Sequence, residues 1–369
     1  LYRSSAASDV YKRQLQKIAF VGDYLPRKCG IATFTHDLRN AVDQFAMAEC
    51  IVVPVDDIEG GYEYPPEIRF QIAEQELNSY RRAADFINFS NVDVVSLQHE
   101  FGIYGGLAGG HILAFLRDLR VPVVTTHHTV LATPDANQRR AMDQLAELST
   151  RMVVMTERSR DMLRTVYNVP ENKIDLIVHG IPDRPFTDPN VCKDQFGVDG
   201  RHVGLTFGLL SPNKGIEHVL QALPDVIREV PDFVYLILGA THPSLVRAEG
   251  EKYRISLERM AKELGVQKHV VFYNRFVELD ELTEFIGAAD LYITPYLNAE
   301  QAVSGTLAYA FGCGQAVIST PYWHAEELLA DDRGMLVPFA DSAAIGRGII
   351  SLLTDDPRRL AMRERALSF

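Results

Sequence analysis

From Lys17 onward the chain alternates short β-branched and aromatic runs with longer stretches whose apolar residues recur at helical spacing, and it does so twice. In the first half the strands are expected at residues 18–21, 51–55, 92–97, 121–126, 152–155 and 174–178, with helices at 33–45, 74–88, 107–119, 136–149 and 159–166. A parallel neighbour can be reached only through a crossover connection, so this rhythm predicts a parallel, doubly wound α/β sheet. The proline-rich stretch IPDRPFTDPN from Ile181 breaks the rhythm and reads as an interdomain linker. The pattern then restarts, with strands at 203–207, 235–238, 270–273, 291–294, 316–319 and 335–337 and helices at 216–229, 245–264, 279–288, 303–311 and 342–354. Two α/β domains, 15–183 and 184–369, are therefore expected, with ligands at the carboxyl ends of the strands in a cleft between them.

The first fourteen residues, LYRSSAASDVYKRQ, lack a methionine and carry no such rhythm, so residues 1–14 are read as a non-native tail. The last segment, RRLAMRERALSF, stops within a helical pattern, so the natural chain is expected to run further. A 47% hydrophobic and 23% charged composition over 369 residues excludes disordered and fibrous classes. The net charge of -12 without a basic run argues against a general nucleic-acid binder. Cys29, Cys50, Cys192 and Cys313 are too far apart for a zinc or redox motif and read as reduced thiols. No apolar run approaches the roughly 20 residues that span a bilayer, and the expected location is cytoplasmic.

The segment DLYITPYLNAEQAVSGTLAYAFGCGQAVISTPYWHAEELLADDRGMLVP, from Asp290, reads as strand, polar loop, helix and strand. Ser304, Gly305 and Thr306 fall at the helix start, where unpaired N–H groups and the macrodipole attract an anion and a glycine allows close approach; a diphosphate fits. In GLLSPNKGIEHVL, from Gly208, Lys214 falls at another helix start behind Ser211 and Pro212, where a solvated surface lysine is the alternative. Lys214 and Ser304 are expected to face one another.

Three further motifs follow first-half strands. In GDYLPRKCGIATF, Gly30 precedes a helix and either makes a simple turn or brings amides to a phosphate or sugar. In VPVVTTHHTV, His127 and His128 point in different directions, so at most one faces a ligand, where it would contact a sugar hydroxyl or a reacting centre. In VSLQHEFGIYGG, His99 and Glu100 suggest a metal, but neighbours in extended chain diverge and no third ligand is spaced to join them, so an acceptor-binding or cleft-lining loop is preferred.

These pieces, in this order, resemble the retaining nucleotide-sugar glycosyltransferases of family 4, whose GT-B fold sets two Rossmann-like doubly wound domains facing a cleft. The resemblance runs from Lys17 to about Ala366, is strongest in SGTLAYAFGCGQAVISTPYWHAEELLADDRGMLVPF, and extends through CGIATF, VPVVTTHHTV and SPNKGIEHVLQAL. It implies a nucleotide-diphosphate sugar as donor on the C-terminal domain, a carbohydrate or glycolipid acceptor on the N-terminal one, and neither metal nor cofactor. Nucleic acid is excluded as a partner, and peripheral membrane contact is left open. The family glycine falls on Gly30, the diphosphate lysine on Lys214, and the cleft histidine on His128, with His127 as the alternative.

Two family features are changed. The Glu-x7-Glu pair lands on Gln301 and Tyr309, with Glu300 one residue from the first, and an arginine expected before Lys214 is Leu209. Gln301 would then bond sugar hydroxyls, Tyr309 would reach the ribose or base, and Arg275 in FYNRFV would either supply the missing cation or form an ordinary ion pair. The resemblance implies metal-independent hexosyl transfer with retention, in which His128, Lys214 and Glu300 act. The alternatives are a nucleotide-sugar-binding protein that has lost catalysis, and an epimerase or phosphorylase of the same fold, for which no pyridoxal-phosphate lysine motif is present.

Overall fold

The computed structural model describes residues 15–369, and the tail expected at residues 1–14 lies outside the described residues. The first sheet contains β1 (Lys17–Gly22), β2 (Glu49–Asp56), β3 (Ile72–Ala73), β4 (Val94–His99), β5 (Val123–His127), β6 (Arg151–Val154) and β7 (Ile174–Leu176). Their order is β3-β2-β1-β4-β5-β6-β7. The second contains β8 (His202–Phe207), β9 (Phe233–Leu238), β10 (Val270–Tyr273), β11 (Leu291–Thr294), β12 (Val317–Ser319) and β13 (Met335–Leu336), in the order β10-β9-β8-β11-β12-β13. In each sheet the first strand of the rhythm sits centrally, β1 between β2 and β4 and β8 between β9 and β11, in parallel register with both. The chain reverses its direction of winding there, and open parallel sheets bind ligands at the strand ends beside such a reversal.

Strand β9 explains why the second sheet reads as continuous apolar sequence. All six of its residues, Phe233 to Leu238, are buried, because helices cover both faces. Successive side chains point to opposite sides, so Tyr235 and Ile237 join one core with Leu291, Ile293 and Ile318, whereas Val234, Leu236 and Leu238 join another with Tyr292 and Val317. The first sheet divides in the same way, with Ala19 and Val21 on one side and Ile18 and Phe20 on the other.

The chain forms two compact units, and the division is not a single cut. The first takes residues up to His127, Leu131–Val153 and Tyr167–Asp175; the second takes His128–Val130, Val154–Val166 and Leu176–Phe369. The second unit thus includes the helix Glu157–Thr165.

Two expected helices are broken. The stretch at 107–119 becomes a 3-10 turn, Leu107–Gly109, followed by the helix Ile112–Asp118, because Ala108 and Gly109 take left-handed angles (φ 51° and 70°) that no right-handed helix accommodates. The stretch at 245–264 divides into Pro243–Glu249 and Lys252–Glu263 at Gly250, whose φ is 64°. The helix Trp323–Leu328 and strand β3 are too short to show a period, and the sequence pattern did not mark them. Among the described residues no helix is long and apolar enough to cross a membrane.

Candidate functional site

In the second unit, the loop after β8 ends in a 3-10 turn, Pro212–Lys214, and then Gly215 with φ 62°. A Cβ at Gly215 would lie 2.1 Å from the carbonyl oxygen of Pro295, and the Leu297 N–H donates to the Asn213 carbonyl at 2.9 Å. The backbone carrying Lys214 is therefore fixed against the stretch that follows β11. This puts the Lys214 ammonium 3.8 Å from the centroid of the Tyr296 ring. Among the described residues Lys214 forms no ion pair.

Tyr296 is 3% exposed and stacks on Tyr322, with centroids 5.2 Å apart and planes 18° from parallel. Its hydroxyl bonds the Thr306 hydroxyl at 2.7 Å, which lies 3.2 Å from the Ser304 hydroxyl. Burial pushes the Tyr296 phenol up, but the Lys214 charge and the hydroxyls around it outweigh burial and hold it below its usual value. Ser304 caps the helix Gly305–Gly312, its Oγ accepting the Leu307 N–H at 3.3 Å. Helix geometry gives the amides of Gly305 and Thr306 no carbonyl in their own helix. An ammonium, two hydroxyls and a helix start thus meet around one ring, a donor set suited to a diphosphate.

The loop before that helix is held by the segment after β12. The Trp323 N–H donates to the Ala299 carbonyl at 3.0 Å and the His324 N–H to the Gln301 carbonyl at 3.2 Å. His324 is 5% exposed, and its Nδ1 accepts the Ser304 N–H at 2.8 Å. Burial, with His179 nearby, pushes its pKa down to about 3, so the ring is neutral and its proton resides on Nε2. Gln301 donates its amide to the Val303 carbonyl at 2.5 Å, and Glu300 is exposed in the turn, its N–H bonded to Asn298 Oδ1 at 3.1 Å. His179 Nε2 lies 3.2 Å from where a Cβ at Gly305 would stand, and its ring meets Tyr309 edge-on at 5.7 Å.

Arg275 is engaged with Glu281 through both terminal nitrogens, one contact at 2.7 Å, and its side chain is 51% exposed. This is the ordinary ion pair, and it gives no support to Arg275 as the missing cation.

In the first unit, His99 and His127 end β4 and β5, are paired in register, and have ring centroids 5.1 Å apart. His127 is 1% exposed, neither ring nitrogen has a hydrogen-bond partner among the described residues, and burial pushes its pKa down to about 3. His128, the next residue in the chain, belongs to the second unit and is half-buried. Glu100 accepts its neighbour Phe101's N–H at 3.0 Å. Gly30 is the first residue of the helix Gly30–Phe45, one turn earlier than expected, and a Cβ there would meet nothing within 4 Å. The Cys29 thiol caps this helix and donates to Asp23 at 3.2 Å; burial pushes Asp23 up to about 7 against the pull of Arg27. Among the described residues no three His, Cys, Asp or Glu side chains gather as a metal site.

The structure thus brings Lys214, Ser304 and Thr306 together around Tyr296, and Gly305 and Tyr309 against His179. Sequence reasoning gave no role to Tyr296, His179 or His324. The available signal was position: Tyr296 directly follows a strand's carboxyl end, and His324 lies inside the most informative segment.

Two family profiles match consecutive parts of the chain: Glycosyltransferase Family 4 over residues 30–184, and Glycosyl transferases group 1 over residues 193–369. The chain belongs to the family 4 glycosyltransferases of group 1, with the GT-B fold. It is 32% identical, over 49% of its own length, to a GDP-mannose-dependent alpha-(1-6)-phosphatidylinositol monomannoside mannosyltransferase of Mycolicibacterium smegmatis, and spans 47% of that protein. It is 28% identical, over 70% of its length, to a D-inositol 3-phosphate glycosyltransferase of Corynebacterium kroppenstedtii, of which it spans 60%. The Anabaena protein HepE in complex with UDP-glucose superposes with a TM-score of 0.73 at 16% identity, over 95% of this chain and 93% of that one. At that identity the likeness concerns the fold.

Proposed function

We propose that this chain transfers a hexosyl group from a nucleotide-diphosphate sugar to a hydroxyl acceptor, with retention of configuration and without a metal ion. The observation that carries this reading is the convergence of Lys214, Ser304, Thr306 and the start of the helix Gly305–Gly312 around Tyr296. In the reaction, the bond between the anomeric carbon and the diphosphate oxygen breaks, the acceptor oxygen bonds the same carbon from the same face, and its proton passes to the departing phosphate. Charge builds on the diphosphate, so fixed cations and amides aimed at it supply the main stabilisation. Lys214 and the amides of Gly305 and Thr306 serve that role. Glu300, in the adjacent exposed turn, and His128 orient the sugar, while Gln301 and Tyr309 take the places of the family carboxylates.

Gly30 brings amides to a phosphate or sugar, His99 lies in an acceptor-binding or cleft-lining loop, and His127 is the alternative to His128. The named relatives suggest the class of acceptor: one acts on a phosphatidylinositol monomannoside and another on inositol 3-phosphate, both polyols carrying phosphate. The GDP-mannose dependence of the first relative and the UDP-glucose bound to HepE make UDP-glucose and GDP-mannose the first donors to test.

The test is Lys214→Ala. Turnover with the productive donor is expected to fall about a hundredfold, within the range for removing one transition-state charge partner, with an unchanged melting profile. Unchanged turnover removes Lys214 from the mechanism. A second reading, a binding protein without transfer, is favoured by the replacement of both carboxylates by Gln301 and Tyr309, the latter buried against His179. Donor binding with no product from any acceptor would establish it.

A further inference from the structure

The donor site contains a cation held against the face of an aromatic ring. We infer that Tyr296 is the positioning residue for Lys214: its face holds the ammonium, and its hydroxyl, bonded to Thr306 at the helix start, helps keep the ring in place. The inference rests on the diphosphate reading of this site.

Three features show that this contact is constructed rather than incidental. The ring cannot turn away, because it is 3% exposed, stacked on Tyr322, and bonded at its hydroxyl. Its backbone is tied as well, the Tyr296 carbonyl accepting from the Thr320 hydroxyl at 2.6 Å. Lys214 is fixed from its own side, since Gly215 is seated on the Pro295 carbonyl and Asn213 accepts the Leu297 N–H. Both partners are thus attached to the same short stretch, 295–297.

The chemistry follows from the choice of holder. A carboxylate beside Lys214 would orient it but cancel its charge, and an incoming diphosphate would have to displace that partner. An aromatic face attracts a cation through its quadrupole and leaves the net charge intact. An ammonium has three N–H donors, and one directed at the ring leaves the others for phosphate oxygens. A flexible four-carbon side chain is thereby ordered before the ligand arrives, which reduces the entropy lost on binding.

The test uses isothermal titration of the whole chain with UDP and GDP, and with uridine and guanosine as controls without phosphate. Tyr296→Met is expected to weaken binding of the preferred nucleoside diphosphate about fivefold, the size of a partly desolvated cation–π contact. Tyr296→Phe, which keeps the face, should stay within about twofold, and nucleoside binding should not change in either variant. In a Lys214→Ala background Tyr296→Met should add nothing, because the two residues act as one unit. Wild-type affinity in Tyr296→Met, an equal loss for nucleosides, or the same loss without Lys214 would each overturn the inference.

Binding that depends on Lys214 but not on the ring defeats this inference alone. A wild-type chain that binds no nucleoside diphosphate defeats the proposed function, and this inference with it. Should Tyr296→Met not fold, the wild-type chain labelled with 13C-lysine still decides. One lysine ε-methylene signal should be shifted upfield by the ring current and vanish in Lys214→Ala, and its absence overturns the assignment.

Discussion

Replacing His324 by asparagine should make the second unit less sensitive to acid. In the native chain His324 is buried and neutral, Nδ1 accepting the Ser304 N–H, with its pKa pushed down to about 3 by burial and the neighbouring His179. The unfolded chain titrates near the ordinary histidine value of about 6.5. Below that pH the unfolded state gains a proton that the native state refuses, so stability is complete above about 6.5 and is lost as the pH falls toward 3. At about 1.4 kcal/mol per pH unit, lowering the pH from 8 to 5 removes about 2 kcal/mol through this one residue. Asparagine places Oδ1 where Nδ1 stands and does not titrate, so His324→Asn keeps the acceptor and loses the pH term.

The assay is urea unfolding at pH 8 and pH 5, followed by the fluorescence of Trp323, the single tryptophan of the chain and the neighbour of the mutated residue. Whatever constant cost the substitution carries appears at both pH values and cancels in the comparison. The stability lost between pH 8 and pH 5 should be about 2 kcal/mol smaller in His324→Asn than in the wild type. If the two losses agree within about 0.5 kcal/mol, the usual additivity error for independent sites, the buried neutral imidazole is refuted.

Two other substitutions probe the same unit. Gly215→Ala should destabilise it by more than about 2 kcal/mol and abolish nucleoside-diphosphate binding, because the residue has φ 62° and its Cβ would stand 2.1 Å from the Pro295 oxygen; urea unfolding and titration calorimetry check both. Arg275→Ala should change stability by less than about 1 kcal/mol, as expected of an exposed ion pair, and should leave donor affinity unchanged; a large loss of affinity would restore Arg275 as the missing cation.

Much of the fold is legible because the physical signals are local. The helices Ile216–Glu229 and Leu279–Ala288 and strands β10 and β11 have the boundaries that apolar spacing predicts, since burial on one stripe or both faces forces that spacing. The break at Ala108 was not legible, because a non-glycine residue with φ 51° carries no mark in sequence. The membership of Val154–Val166 in the second unit was not legible, because it depends on contacts distant in sequence. Family membership, read from the segment around SGTLAYAFGCG, is borne out by profiles covering both halves.

The sequence alone determined the two doubly wound sheets and singled out Lys214 and Ser304–Thr306, because strand period, helix period and helix-start chemistry are written in neighbouring residues. Tertiary structure decided what those residues touch. It set Tyr296 under the ammonium, His324 beneath the Ser304 amide, His179 against Gly305, and Glu281 on Arg275. Lys214 and Tyr296 are 82 positions apart in the chain (296 minus 214), and only the parallel pairing of β8 with β11 brings their loops to the same edge of the sheet. Side-chain direction and close contact are properties of packed elements, and no local pattern encodes them.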